Sequence, residues 1–194
     1  MDLLIRHRVF EEMDDTEFFD LCQQNRDLRF ERNPDGNIIV MSPASSVSGD
    51  LNSEIDYQLR KWNKEHQLGK CFDSSAGFTL PDNSVRSPDA SFILMDRWKA
   101  LSTEQRKGFA HICPDFVIEL NSESDTFAAL AQKMQEYLIN GCRMGWLIDP
   151  DKEQVFIFLP GKNVSMVEGF HQSIGEDNIL PGFSLDLREL KMEP

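Results

Sequence analysis

The 194-residue sequence predicts a mixed β-sheet with helices packed on its faces, an α/β or α+β sandwich. Three observations predict it. Residues 47–65 and 125–141 repeat apolar side chains at the three- and four-residue spacing of a helix. Short apolar or alternating runs recur between and after them, as strands do. Proline, glycine, asparagine and aspartate cluster between those runs, where turns form.

In chain order, Asp14, Asp15 or Thr16 caps a short helix through EFFDLCQQN. LRFERNPDGNIIVMSP reads as a hairpin turning at NPDG. After SPASS comes the long helix, with Val47, Leu51, Ile55, Tyr57 or Gln58, Leu59 and Trp62 at helical spacing. Strands near KCFDSS and GFTL, a turn at PDNS and the strand SPDASFIL follow, and LSTEQRKGF reads as a short capped helix. DFVIELNS is a strand, and DTFAALAQKMQEYLING is a helix stopped at Gly141. MGWLIDP and QVFIFLP are strands joined at DPDKEQ; VSMVEG adds another, before a closing segment near FSLDLREL. With no internal repeat or low-complexity linker, a single domain over 1–194 is expected, with 1–40 as its N-terminal extension.

The totals exclude several classes. Hydrophobic residues at 40% and charged residues at 27% are globular proportions, not those of a disordered chain. No apolar run reaches the roughly 18 residues needed to cross a bilayer, and the N-terminus lacks the pattern of a signal peptide. A cytoplasmic protein without membrane association is expected. The four cysteines are far apart, form no C-x-x-C pair and are read as reduced and structural rather than zinc-binding. A net charge of −13 argues against a broad basic surface for nucleic acid, while leaving room for a metal-bridged contact to phosphate.

Against this background a few charged residues sit where packing does not ask for them. In SPDASFIL, Ala90, Phe92 and Leu94 share one side of the strand, and Asp89 and Ser91 share the other. In PDFVIELNS, Glu119 interrupts the face that Val117 begins, opposite Phe116, Ile118 and Leu120. On the following helix, Phe127, Leu130, Ala131, Met134 and Leu138 form a stripe, Tyr137 borders it, and Lys133 emerges one turn before the tyrosine. Glu54 lies on the flank of the long helix beside Val47 and Leu51. Each alone reads as a surface charge. Together, three acids and a lysine suit phosphodiester hydrolysis: carboxylates hold a hard divalent ion, and a lysine stabilises developing negative charge.

The ordered set SPDASFIL, PDFVIELNSESD, KMQEYLING and WLIDP closely resembles the Uma-two type family of restriction-endonuclease-like proteins, within the PD-(D/E)XK nuclease superfamily. The resemblance runs from IIVMSP to VFIFLP and on to LPGFSLDL. It implies a restriction-endonuclease-like fold, a Mg²⁺ or Mn²⁺ site and DNA as substrate. Residue by residue it implies Asp89 as the P-D aspartate, Glu119 as the following acid and Lys133 as a catalytic lysine carried on the helix. Glu54 would complete the metal set of Glu54, Asp89 and Glu119. Asn121 stands where the superfamily usually has a strand lysine. Of the two P-D dipeptides, Asp115 lies four residues before Glu119 on one strand, about 13 Å away, too far to share its ion. Gln132, beside Lys133, is a secondary candidate for phosphate or water. Superfamily members often pair, so a homodimer through NIIVMSP or the C-terminal strands is an expectation. Two other readings stay open: a catalytically silent nuclease fold used for binding or assembly, and a metal-free hydrolase using the acid pair.

Overall fold

The computed structural model describes residues 3–123 and 125–192. The chain begins with β1 (Leu3–Ile5), one helical turn α1 (Arg8–Glu11) and α2 (Asp15–Gln24). Asp14 caps α2, accepting from Glu17 N while the Glu17 side chain returns to Asp14 N, a reciprocal capping box. The hairpin follows as β2 (Arg29–Arg32) and β3 (Ile38–Met41). Its turn uses Gly36 at φ +81°, where a Cβ would stand 2.5 Å from Glu11 Cα.

The long helix is α3 (Ser46–His66), capped by Ser45. Its core stripe is Leu51, Ile55, Leu59 and Trp62; Val47 and Tyr57, read as part of that stripe, are half exposed. Next come β4 (Gly69–Asp73), β5 (Phe78–Thr79), β6 (Val85–Arg86), β7 (Ala90–Leu94) and α4 (Met95–Ala100). The helix expected at LSTEQRKGF shrinks to a 3₁₀ turn at Glu104–Arg106. Ser102 and Gln105 do exchange capping bonds there, but the segment has no apolar stripe to bury. One element earlier, Trp98 packs on Phe72, and that is where the helix forms. The chain continues through β8 (Ala110–His111), β9 (Phe116–Leu120), α5 (Phe127–Ile139), β10 (Met144–Asp149), β11 (Gln154–Phe158), β12 (Ser165–Glu168), β13 (Ser173–Gly175) and β14 (Ser184–Asp186).

Among the described residues these strands make two mixed six-stranded sheets, ordered β1-β3-β2-β6-β5-β8 and β12-β11-β10-β9-β7-β4, and a β13-β14 ribbon. The second sheet is buried on both faces. On one face Phe92, Phe116, Ile118 and Trp146 pack against α3 and the C-terminal residues Phe170, Phe183 and Leu185. On the other, Ile93, Val117 and Leu147 pack against Leu130, Met134 and Tyr137 of α5. The alternation read in β7 and β9 thus separates two cores. A third, smaller cluster of Phe18, Ile38 and Val85 lies under α2 and the hairpin.

The sheets meet through the chain itself. Arg86 ends β6 in the first sheet and Ala90 begins β7 in the second, so Ser87, Pro88 and Asp89 bridge them. Proline has no N–H to give a ladder and suits the gap where one sheet stops and the other starts. No described helix is long and apolar enough to cross a membrane.

Candidate active site

The bridge opens onto a cleft of about 500 Å³, lined among others by Glu31, Asn52, Arg86, Asp89, Glu119 and Lys133. Strand register brings the first two acids together. β7 and β9 are antiparallel with Ala90 opposite Ile118 and Ser91 opposite Val117. Continued by one residue, that register sets Asp89 across from Glu119, whose side chain lies on the α5 side of the sheet. Leu120 N–H donates to Asp89 Oδ2 at 2.8 Å, tying the aspartate to the neighbouring strand. Its other oxygen, Oδ1, accepts from Asn52 Nδ2 of α3 at 3.1 Å. Burial pushes the Asp89 carboxyl above its ordinary range, against the pull of the Leu120 N–H and Lys133.

α5 supplies the cation. Leu130, Met134 and Tyr137 are its buried residues, so the tyrosine lies within the buried stripe rather than at its border, and Lys133 is drawn inward with it. Lys133 Nζ lies 2.9 Å from Glu119 Oε1 and 2.9 Å from Glu31 Oε1. Tyr137, one turn on, donates its hydroxyl to Glu119 Oε1 at 2.9 Å. Burial drives the Glu119 carboxyl up to about 8, with Asp89 and Glu31 adding to the rise and Lys133 opposing it. Burial opposes the Lys133 charge too, but Glu119 and Glu31 outweigh it and hold the ammonium protonated.

Glu31, on β2, is the acid that sequence reasoning missed. Its Oε1 also accepts from Ser87 N at 2.9 Å, and Arg86 Nη1 stands 3.8 Å from Oε2. Lys133 and Arg86 overcome its burial and keep its carboxyl below the usual range. Arg86 is itself anchored: its guanidinium donates to Glu136 Oε1 at 2.8 Å, Asn33 Oδ1 at 2.8 Å and Arg32 O at 2.8 Å. A charged residue in the strand RFER reads as solvated. The signal against that reading was its partner strand: Glu31 pairs with Ile39 and Arg29 with Met41, an apolar side facing a charged one.

The structure brings Asp89, Glu119 and Lys133 together and leaves Glu54 out of the cleft lining. Glu54 Oε1 accepts from Gln58 Nε2 at 2.9 Å, and Gln58 also holds the backbone of Asp186. The residue of α3 that bonds Asp89 is Asn52, two positions earlier, about 200° around the helix. Asn121 turns away to Asp149 Oδ2 at 3.1 Å. Asp115 is fully buried and structural, accepting from Leu94 N at 2.9 Å and pairing with Arg97 at 3.0 Å. Gln132 lines the cleft beside Lys133.

The donor set suits a hard divalent cation. Glu31, Asp89, Glu119 and Glu136 line the cleft with only Lys133 and Arg86 as buried partners, so with all acids ionised this cluster carries two surplus negative charges. Asn52 Oδ1, beside Asp89, is buried with no hydrogen-bond partner and offers a further oxygen. Among the described residues no three acid, histidine or cysteine side chains already surround one point as a metal shell does; the Lys133 ammonium stands between Glu31 and Glu119 instead.

Comparison with known proteins agrees with this architecture. The family model described as "Uma2: Putative restriction endonuclease" matches residues 15–188. The crystal structure of a protein described as a "putative nuclease belonging to DUF820 from Anabaena variabilis ATCC 29413" has the same fold, with a TM-score of 0.75 at 21% identity over 92% of this chain and 97% of that one. No curated protein matches the chain. The family match takes in every element from α2 through β14, and with it the strands and helix that build the cleft: the chain belongs to the Uma2 family.

Proposed function

We propose that the protein is a divalent-metal-dependent DNA endonuclease that hydrolyses phosphodiester bonds at this cleft. The observation that carries the reading is the register that faces Asp89 with Glu119, together with Lys133 at 2.9 Å from the glutamate. Asp89, Glu119 and Glu31 would hold Mg²⁺ or Mn²⁺, with Asn52 Oδ1 in reach of the same space; a bound divalent ion supplies charge screening for the phosphate and acidifies water. Glu31 takes the third position in this reading in place of Glu54. Tyr137 and the Leu120 N–H orient the two carboxylates, each through a hydrogen bond of 2.8–2.9 Å. Lys133 donates to a phosphate oxygen and stabilises the charge that develops as the P–O bond breaks. Arg86 keeps Glu31 ionised and in place without leaving its own partners.

The family's description and that of the Anabaena protein support nucleic acid as the substrate class. Four unpaired thiols fit a reducing, cytoplasmic setting. On duplex DNA the protein would act as a homodimer, one cleft per strand, which sedimentation of the protein with and without DNA reads directly. The test of the activity is incubation with plasmid DNA and Mg²⁺ or Mn²⁺. Nicking or linearisation is expected, and cleavage that persists unchanged in both Glu119→Ala and Lys133→Ala would place the chemistry elsewhere.

A second reading is favoured by the net charge of −13: a nuclease fold that binds or assembles without turnover. Calorimetry separates the two, because saturable uptake of Mn²⁺ at millimolar levels or below belongs to the first.

A further inference from the structure

Resting on the metal reading above, we propose that Lys133 is an internal stand-in for the divalent ion: its ammonium occupies part of the ion's place in the metal-free protein and must swing into the cleft before the ion is held.

Lys133 Nζ is 2.9 Å from an oxygen of Glu31, on the first sheet, and 2.9 Å from an oxygen of Glu119, on the second. Those two oxygens are therefore no more than about 6 Å apart, and the cation between them joins the two sheets. Mg²⁺ takes oxygens at about 2.0–2.1 Å, so an ammonium and a divalent ion cannot share the space between the same pair. Replacement requires the two carboxylates to move inward on the smaller ion.

The surroundings are arranged to survive the exchange. When Lys133 leaves, Glu31 keeps Ser87 N–H and the Arg86 guanidinium, and Glu119 keeps the Tyr137 hydroxyl. Arg86 cannot follow, since Glu136, Asn33 and the Arg32 carbonyl hold it. Lys133 has somewhere to go: its side chain is 14% exposed and lines the open cleft, next to Gln132. The cluster also holds more negative charge than one ammonium offsets. A monovalent cation is thus a partial substitute that a divalent one can outcompete.

The exchange couples two events. A phosphate oxygen in the cleft gives the displaced ammonium a partner, so the phosphodiester and the ion each favour binding of the other, by the same factor in both directions. Without the ion, Lys133 returns to Glu31 and Glu119 and keeps buried acids paired.

The experiment compares Mn²⁺ binding by calorimetry in the wild type and in Lys133→Met and Lys133→Gln, with ¹⁵N NMR of the lysine ammonium groups in the wild type during a Mg²⁺ titration. Expected are Mn²⁺ binding at least about tenfold tighter in either folded variant, and a protected Lys133 ammonium signal in metal-free wild type that is lost as Mg²⁺ saturates the site. If both variants fail to fold, the wild-type titration alone decides. Saturable metal uptake with the Lys133 signal unmoved overturns the exchange and leaves the metal reading standing, even if a variant binds more tightly through loss of charge alone. No uptake by wild type or variants overturns both.

Discussion

Asp89 faces Glu119 across two antiparallel strands, one residue beyond the last ladder pair on that side, Ala90 and Ile118. It is tied there by the Leu120 N–H at 2.8 Å. Neither carboxylate owes its position to the other; both are delivered by backbone pairing and then surrounded by Asn52, Tyr137 and Lys133. In a site assembled this way the backbone sets where the charges stand, and its parts can be removed one at a time.

Asp89→Asn separates charge from geometry. The new amide keeps an oxygen for Leu120 N–H, and Asn52 can turn its unpartnered Oδ1 toward the new NH₂. The fold should persist with little change in melting temperature, while metal-dependent cleavage falls by about 100-fold or more, the scale seen when one preorganised electrostatic group is lost. Cleavage assays beside thermal melts check both halves.

Glu31 and Glu54 give opposite expectations. Glu31→Gln should abolish most cleavage and weaken Mn²⁺ binding, because Glu31 shares Lys133 with Glu119. Glu54→Ala should leave cleavage within about twofold, since its carboxylate is engaged with Gln58 on another side of the helix. Equal losses in the two variants would contradict this division.

Glu119 makes stability depend on pH. Its folded value, raised to about 8 by burial, lies above the ordinary 4.5. The folded state therefore binds the proton more tightly than the unfolded state does. Its contribution is fully present below about 4.5 and is lost as pH rises through about 8. In metal-free protein, melting temperature should decline across this window from this group, and Glu119→Gln should flatten the decline. Cleavage, which needs the anion, should rise over the same interval.

Tyr137→Phe removes the hydroxyl donor on Glu119 Oε1. A lost donor to a carboxylate disfavours the charged form, so the pH at which cleavage reaches half its maximum should move to higher values. Stability should fall by about 1–2 kcal/mol. A pH–rate profile with an unmoved midpoint would show that the hydroxyl only fills space.

Arg86→Ala should be the most damaging single change near the site. It strips a buried guanidinium from Glu31 and Glu136 and leaves acids without that partner, a loss of about 3–5 kcal/mol for a broken buried pair. Chemical denaturation measures it.

Much of this molecule is written in local pattern. A capping signal located α2, helical spacing located α3 and α5, alternation located β7 and β9, and the NPDG turn placed the hairpin; caps and turns are local chemistry, and burial of one face imposes a period on any element that packs. The same periodicity put Glu119 on the Val117 face of β9 and Lys133 one turn before Tyr137. What the pattern lacks is information about which elements meet. Asn52 rather than Glu54 reaches Asp89 because the angle of α3 over the sheet is set by Trp62, Leu59 and Ile55 packing on Phe92 and its neighbours. Glu31 enters the cleft because β2 pairs with β6, at Arg32 and Val85, and β6 leads directly into the Asp89 bridge. From its sequence alone the protein had the acids, the lysine and the strands that carry them; only tertiary packing chose which charges would share one buried space, since long-range pairing and helix docking depend on surfaces that no short stretch of residues contains.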